Sequence, residues 1–410
     1  MKNLYEVAIV GGGFSGLVTA VKLNKLGVKN VCVLESQKRV GKKILATGNG
    51  RGNLTNANLS IERYHGDKNF ASFAIKKYDN KAIEGFFNEL GLLLTYEEDR
   101  AYPCGLQANA VLDALRLSLK DTEVFLESLV EKIEKKDGNF VLSGKGFSVK
   151  AKKVVLAFGG SAGQGMGTEG KSYSLAEGFG HTVTPLSPSL VQLKTENEFF
   201  KGLKGVKHRV KLSLADGKDC KNVVKTAVGD LLFTDTGASG NAVFEVSSYL
   251  GEVTSPYLLV EFLPEKSEDE IFKGLKKKCK SFPEESAETL LSGYVHNKLG
   301  EKICRKIFNV QTLGELSDDS LKTAIYAIKR YIGRVIGTTG FIYAQVTHGG
   351  IDTKDVFEAS FESKKTSGLY IIGEALNVDG DCGGFNLQWA FSSAVCAAED
   401  IYEKSINDRT

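Results

Sequence analysis

Val7-Ala8-Ile9-Val10-Gly11-Gly12-Gly13-Phe14-Ser15-Gly16-Leu17 begins as an apolar run and breaks into glycine before a helical pattern sets in. The run before the glycines reads as a buried strand, because parallel strands covered on both faces are nearly continuous in apolar residues. Leu17, Ala20, Val21 and Leu23 then recur on one face of a helix predicted from about Ser15 to Leu26, with Gly27 as its stop. Val31-Cys32-Val33-Leu34-Glu35 is a second buried strand. Strand, turn, helix and strand form a βαβ unit, and Gly11-x-Gly13-x-x-Gly16 sits at the turn. The three glycines serve different ends: Gly11 permits the tight turn, Gly13 the close approach of a pyrophosphate, and Gly16 the packing of helix on strand. The bare helix N-terminus offers N–H groups and a positive dipole to phosphate. Glu35 ends the second strand 19 residues after Gly16, where a carboxylate accepts ribose hydroxyls. Strand, spacing, helix and acid agree on a dinucleotide site made from Gly11, Gly12, Gly13, Phe14, Ser15, Gly16, Glu35 and Ser36.

The rest of the chain is consistent with a large folded protein around this unit. It has 410 residues, 42% hydrophobic and 25% charged, which excludes both a stapled mini-protein and a disordered chain. A net charge of +3 speaks against nucleic acid or an anionic membrane as an obligatory partner. Seven scattered cysteines with no Cys-x-x-Cys pair suggest reduced thiols in a cytosol rather than zinc or a disulfide framework. The opening residues lack the apolar core of a signal peptide, and no apolar stretch reaches the roughly 18 residues of a membrane span, so a cytoplasmic protein is expected. Five histidines form no metal spacing or obvious triad, and His348 beside Gly349-Gly350 reads as structural.

Helices are predicted at about 69–90 and 107–119. Short strands follow at 124–126, 139–142, 147–149 and 153–158, with turns at Asp137-Gly138 and Gly144–Gly146. Alternation dominates from about 190 to 265. From Ser267 to about Arg334 the texture is helical, with a Ser267-x-x-Glu270 capping box and Leu321, Ala324, Ile325, Ile328, Tyr331 and Ile332 at helical spacing. The tail returns to strand, glycine loop and helix: Leu369–Gly373, a loop to Gly384, and a helix from about Asn386 to Lys404. The expected domains are 1–190 with 345–410, a β-rich insertion at 191–265 with 335–344, and a helical insertion at 266–334. A second pattern, Gly165-x-Gly167-x-x-Gly170, lacks both the adjoining strand and the acid, and reads as a loop rather than a separate nicotinamide domain.

Three stretches carry a family resemblance: Val7–Gly16; Gly41-Lys42-Lys43-Ile44-Leu45-Ala46-Thr47-Gly48-Asn49-Gly50-Arg51-Gly52-Asn53-Leu54-Thr55-Asn56; and the tail from Gly368 to Phe391, with Gly373-Glu374-Ala375 and Asp379-Gly380-Asp381-Cys382-Gly383-Gly384-Phe385-Asn386-Leu387. The whole chain resembles the bacterial flavoproteins of the HI0933-like, or BaiN, family. The resemblance implies an α/β chain: a two-dinucleotide-type, Rossmann-like FAD-binding domain with an inserted β-barrel-like domain and a small helical domain. It also implies FAD held additionally by Lys42, Lys43, Thr47, Gly48, Asn49, Arg51, Asn53, the Val130 backbone, Ala157, Gly159, Gly373, Glu374, Gly383, Gly384, Asn386 and Leu387. Some relatives reduce carbon–carbon double bonds conjugated to a ketone, bile-acid intermediates included, with NAD(P)H as a transient electron donor. A small steroid-like enone is therefore the expected substrate, and Tyr102, Asp381 and Cys382 are the candidates for its protonation. The sequence departs from the family at Gly52, where cysteine is usual, at Phe158 in place of threonine, and at Asp235 and Asn241. Rival readings are a flavin oxidase of a small amine or ketone, a flavin-binding protein without turnover, and a flavin-dependent RNA-modifying enzyme. The last would draw on Lys201, Lys204, Lys207, Arg209, Lys211 and the lysines of 273–280. Oligomeric state is not legible.

Overall fold

The structure is a computed structural model and describes residues 4–167 and 170–407. Thr168 and Glu169, inside the second glycine pattern, lie outside the described residues. The chain divides into two compact units, residues 1–188 with 341–410, and residues 189–340.

In the first unit, β1 (Tyr5–Val10), α1 (Phe14–Lys25) and β2 (Val31–Leu34) form the βαβ start. They join β3 (Thr122–Phe125), β4 (Lys132–Lys136), β5 (Asn139–Gly144), β6 (Phe147–Leu156) and β7 (Leu369–Ile371). The sheet order is β3-β2-β1-β6-β5-β4, with β7 also paired to β6. The two runs read separately at 147–149 and 153–158 are the single strand β6. Its first half pairs antiparallel with β5 through Phe147–Ala151, and its second half lies parallel between β1 and β7. Side chains alternate between exposed and buried in the first half and are all buried from Lys153 to Leu156, which follows from the change of partner. β4, with sequence Lys-Ile-Glu-Lys-Lys, buries only Ile133 and escapes an apolar-pattern reading because it is a charged edge strand.

The helix expected over 69–90 is two helices, Lys68–Lys77 and Asn80–Glu89. Asp79 separates them: its carboxylate accepts from the N–H groups of Lys81 (3.0 Å) and Ala82 (3.1 Å), a cap that contributes about 1 kcal/mol. The long helix α2 (Phe385–Asn407) buries Trp389, Phe391 and Ile401 in the core of this unit. No helix among the described residues is long and apolar enough to cross a membrane.

The second unit has its own apolar core. The strands Leu193–Thr195, Gly237–Ser239, Asn222–Phe233, Lys207–Asp216, Pro256–Phe262 and Tyr331–Thr338 close in that order into a barrel, as the barrel-like insertion requires. Three helices, Glu268–Ser281, Asn297–Ile307 and Asp318–Lys329, fall between its last two strands in sequence. The first carries the Ser267/Glu270 capping box. Helical periodicity does not continue past Lys329: Tyr331 and Ile332 are barrel residues, paired with Val260 and Leu259.

One buried histidine makes this fold sensitive to acid. His181 is 4% exposed, its Nε2 lies 2.8 Å from Ser363 Oγ, and burial together with the nearby Lys365 charge pushes its pKa below the ordinary value. Below about pH 6.5 the unfolded chain takes up a proton that the folded chain resists, so stability falls as pH drops. Thermal unfolding at pH 7.5 and 5.5 should show a larger loss for the wild type than for His181→Asn. Equal losses would exclude His181 as the cause.

Candidate functional site

At the end of β1 the chain is forced into glycine. Gly11 has φ +108°, donates its N–H to Leu34 O (2.9 Å), and would place a Cβ 2.5 Å from Ala157 O at the end of β6. A Cβ on Gly16 would lie 2.0 Å from Gly11 O. Gly13 is the N-cap of α1, with no side-chain cap and no acid in the first turn, and a Cβ on it would meet nothing within 4 Å. The helix therefore begins with uncapped N–H groups beneath open space, which favours an anion. Phe14 and Ser15 are buried just inside it.

Glu35 ties this turn to the second strand. Its Oε2 accepts from Gly12 N (2.8 Å), and its Oε1 from Gln37 N (2.7 Å) and Ser36 Oγ (3.2 Å). A carboxylate offers about four acceptor positions, so room remains for one further donor. The Glu35 carbonyl accepts from Ser128 N (2.8 Å), and Val130, 4% exposed, follows two residues later.

The later segments converge on the same region. Gly373, with φ +65°, would place a Cβ 3.0 Å from Ser15 Oγ, so the loop after β7 rests on the start of α1. Glu374 pairs with Lys43 at 2.8 Å across 331 positions of sequence, and its Oε1 accepts from Thr347 N (2.9 Å). Thr347 Oγ1 in turn accepts from the N–H groups of Ser161 (2.7 Å) and Ala162 (2.9 Å), just past Ala157 and the left-handed Gly159. Lys42 Nζ donates to Gly165 O (2.6 Å). Thr47 donates to Ile44 O, while Gly48 and Asn49 both adopt φ 56°. Gly384, with φ +102°, would place a Cβ 2.4 Å from Thr55 O, and Asn56 Nδ2 donates to Gly383 O (2.9 Å). Asn53 is 8% exposed and its Oδ1 has no hydrogen-bond partner. Asn386 is turned into its own loop, accepting from Gly380 N (2.8 Å) and donating to Gly380 O (2.7 Å). Leu387 packs against the core.

Of the candidates for protonation, Tyr102 is 2% exposed and its hydroxyl accepts from Arg51 Nη2 (3.0 Å), the guanidinium lying 4.3 Å over the ring. Asp381 is fully buried between Arg63 Nε and His65 Nε2, each at 2.8 Å. Cys382 is partly exposed. Burial opposes the charge of Arg100, but neighbouring Cys382 and Tyr102 outweigh it and hold its pKa above the ordinary value.

Arg63, His65 and Asp379 escape the sequence reading of the site, and His348 enters it only as a structural residue. The strand Tyr64–Gly66 pairs with Val378–Gly380, which sets His65 opposite Asp379 in register, and His348 Nδ1 meets Asp379 Oδ1 at 2.8 Å. Asp379 is 1% exposed, so the residue read as structural beside Gly349-Gly350 is also the partner of a buried acid. The signal available in the sequence is the carboxylate set inside the otherwise apolar Val378-Asp379-Gly380.

Comparison with known proteins agrees with this architecture. Residues 5–400 match the family described as HI0933-like protein Rossmann domain. The chain is 33% identical, over 97% of its length and 99% of the relative's, to a 3-dehydro-bile acid delta(4,6)-reductase from Clostridium scindens. It is 31% identical, over 98% of its length and 99% of the relative's, to a ribosomal RNA dihydrouridine synthase from Haemophilus influenzae. Among solved structures, an open flavocytochrome c3 fumarate reductase covers 99% of this chain, with 79% of its own length matched, at a TM-score of 0.53 and 14% identity, which speaks to fold alone. Matched from its first strand into its last helix, the chain belongs to the HI0933-like family and has the Rossmann-type architecture of the FAD-dependent oxidoreductases.

Proposed function

We propose that this protein holds FAD over the N-terminus of α1 and reduces a carbon–carbon double bond conjugated with a carbonyl, drawing electrons from NAD(P)H. The observation that carries the reading is the uncapped start of α1 under open space at Gly13, closed behind by Gly373 on Ser15. The surrounding groups fit the cofactor: Glu35 has an acceptor position left for a ribose hydroxyl, and the unpartnered Asn53 Oδ1 can take a flavin N–H. Backbone at Val130 would border the adenine, Lys42 and Lys43 would bring charge toward the pyrophosphate, and Thr47, Gly48, Asn49, Arg51, Gly383 and Gly384 would surround the ring system. When bound, flavin supplies two-electron hydride chemistry that side chains lack. Arg51 and Asp381 hold the walls: Arg51 fixes Tyr102, and Asp381 fixes Arg63 and His65.

The names of the two relatives support the same chemistry. A 3-oxo-Δ4,6 steroid and the C5–C6 bond of uracil both present a double bond conjugated with a carbonyl, and saturation of each takes one hydride and one proton. A small enone is the favoured substrate because the basic run of the second unit is accompanied by acids. Lys204 lies 2.7 Å from Asp235, Lys207 2.7 Å from Asp230, and Lys211 3.4 Å from Glu261, exposed pairs that weaken any field toward a phosphate backbone. The second reading, reduction of uridine in ribosomal RNA, rests on the 31% identical relative.

Anaerobic titration with NADH and with NADPH, followed by mixing with 2-cyclohexen-1-one, a 4-en-3-one steroid, a ribosomal RNA fragment or oxygen, tests these readings. The expected result is bleaching by a nicotinamide and fastest reoxidation by the steroid enone. Reoxidation by RNA with steeply salt-dependent binding would establish the second reading, and rapid oxygen consumption alone would mark an oxidase. A protein that no nicotinamide bleaches would overturn the proposed electron donor.

A further inference from the structure

The geometry points to His348 as the proton donor of this reduction and to Asp379 as the residue that orients and charges it, an inference that rests on the function proposed above. Asp379 occupies a strand whose other residues, Val378 and Gly380, are apolar and buried. A carboxylate in such a place is costly unless it is paired. Its Oδ1 meets His348 Nδ1 at 2.8 Å, while its Oδ2 has no hydrogen-bond partner, so the charge is spent on one imidazole. The His348 side chain keeps 41% of its surface exposed. A buried acid behind an accessible ring fixes the ring's orientation and favours the imidazolium.

The position suits the role. Thr347, next to His348, binds the Ser161 and Ala162 N–H groups and donates to Glu374, and Asp379 lies between Glu374 and the Gly383–Gly384 turn. Those are the loops assigned above to the flavin. Among the described residues, Lys43 pairs with Glu374 near by, and Arg63 and His65 lie 2.8 Å from the buried Asp381, His65 being on the strand next to Asp379. His65 keeps only 12% of its side chain exposed, which makes it a support for the strand rather than a donor.

Hydride delivered to the β-carbon forms one C–H bond and moves the π electrons of the double bond toward the α-carbon and carbonyl oxygen. The His348 Nε2–H bond then breaks as the α-carbon takes the proton. Neutral imidazole remains against the Asp379 carboxylate and regains its proton from solvent. The electrons come from the nicotinamide dinucleotide that recharges the cofactor.

Holoenzyme reduced anaerobically with dithionite and mixed with 2-cyclohexen-1-one reads this step. His348→Gln should slow reoxidation by roughly 10²-fold or more, the range of general acid catalysis, while its reduction by nicotinamide stays within about twofold of wild type. The wild-type rate should fall on the alkaline side of the imidazole titration, a limb absent in the variant, and added imidazole should restore part of the lost rate. Nitrogen NMR of the histidines, with His348 identified by its loss in His348→Gln, gives a readout independent of turnover: Asp379→Asn should lower the His348 pKa. Equal reoxidation rates in wild type and His348→Gln, or a wild-type rate without the alkaline limb, would overturn the donor assignment and leave the proposed function standing. An unchanged His348 pKa in Asp379→Asn would overturn the role of Asp379. A reduced wild type that neither this enone nor the steroid reoxidises would overturn the function and, with it, the donor.

Discussion

Gly16→Ala is expected to yield protein without flavin. The added methyl would sit 2.0 Å from Gly11 O and 3.2 Å from Ile9 Cγ2, and the first of these atoms is backbone that no rotamer change can move. Ordinary contact would require the turn to open by more than ~1 Å, and overpacking of this kind costs about 1–3 kcal/mol or more. The strain falls on Gly11, whose N–H is held by Leu34 O, and on Gly12, whose N–H is held by Glu35. Opening the turn therefore misplaces both the helix N-terminus and the Glu35 carboxylate proposed to take a ribose hydroxyl. Flavin absorbance per protein should fall by at least about tenfold. Gly13→Ala separates folding from binding, since a Cβ there meets nothing and φ is −78°. Its circular dichroism and melting temperature should match wild type while its flavin affinity drops, because the methyl takes the space proposed for the pyrophosphate. A Gly16→Ala protein as yellow as wild type would refute the placement of the cofactor.

The legible and illegible parts of this fold differ in the range of the physics involved. The β1–α1–β2 start is readable because every cue is local: an apolar run, glycines where a Cβ has no room, a helical stripe, an acid at a strand end. The Ser267/Glu270 cap belongs to the same class, with both partners within one helical turn. Local reading fails where a distant partner overrides the pattern. Tyr331 and Ile332 satisfy helical spacing, yet strand pairing with Val260 and Leu259 claims them. β6 looks like two strands because its neighbours change halfway along. The site shows the same division. Glycines announce themselves by the conformations they permit, but nothing in Lys43 names Glu374, and nothing in His348 names Asp379. Tyr102 stands out in the sequence for the chemistry of its hydroxyl, and only the folded chain reveals Arg51 stacked over its ring.

Asp381→Ala is expected to destabilise the first unit by roughly 3 kcal/mol, the low end of the cost of breaking a buried ion pair. Asp381 is fully buried and lies 2.8 Å from both Arg63 Nε and His65 Nε2, so its removal opens a cavity beside both side chains and takes away the carboxylate they share. Arg63, 37% exposed, can turn part of its charge toward water, which holds the cost to the lower bound. Arg63 also lies 4.9 Å over the ring of Phe385, and its carbonyl accepts from Asp381 N (2.9 Å). Charge, ring and backbone thus fasten the strand Tyr64–Gly66 to the turn that launches α2. Loosening them frees Gly383 and Gly384, so flavin affinity should fall together with stability. Asp381→Asn keeps the shape and loses the charge, and should lie between alanine and wild type. Adding Arg63→Met to Asp381→Ala should cost less than the sum of the single changes, because either change alone already breaks the Arg63–Asp381 pair. Urea unfolding of the four proteins measures the coupling. Strict additivity would mean that the two side chains act independently, and would reduce Asp381 from the fastening of this turn to one buried acid among several.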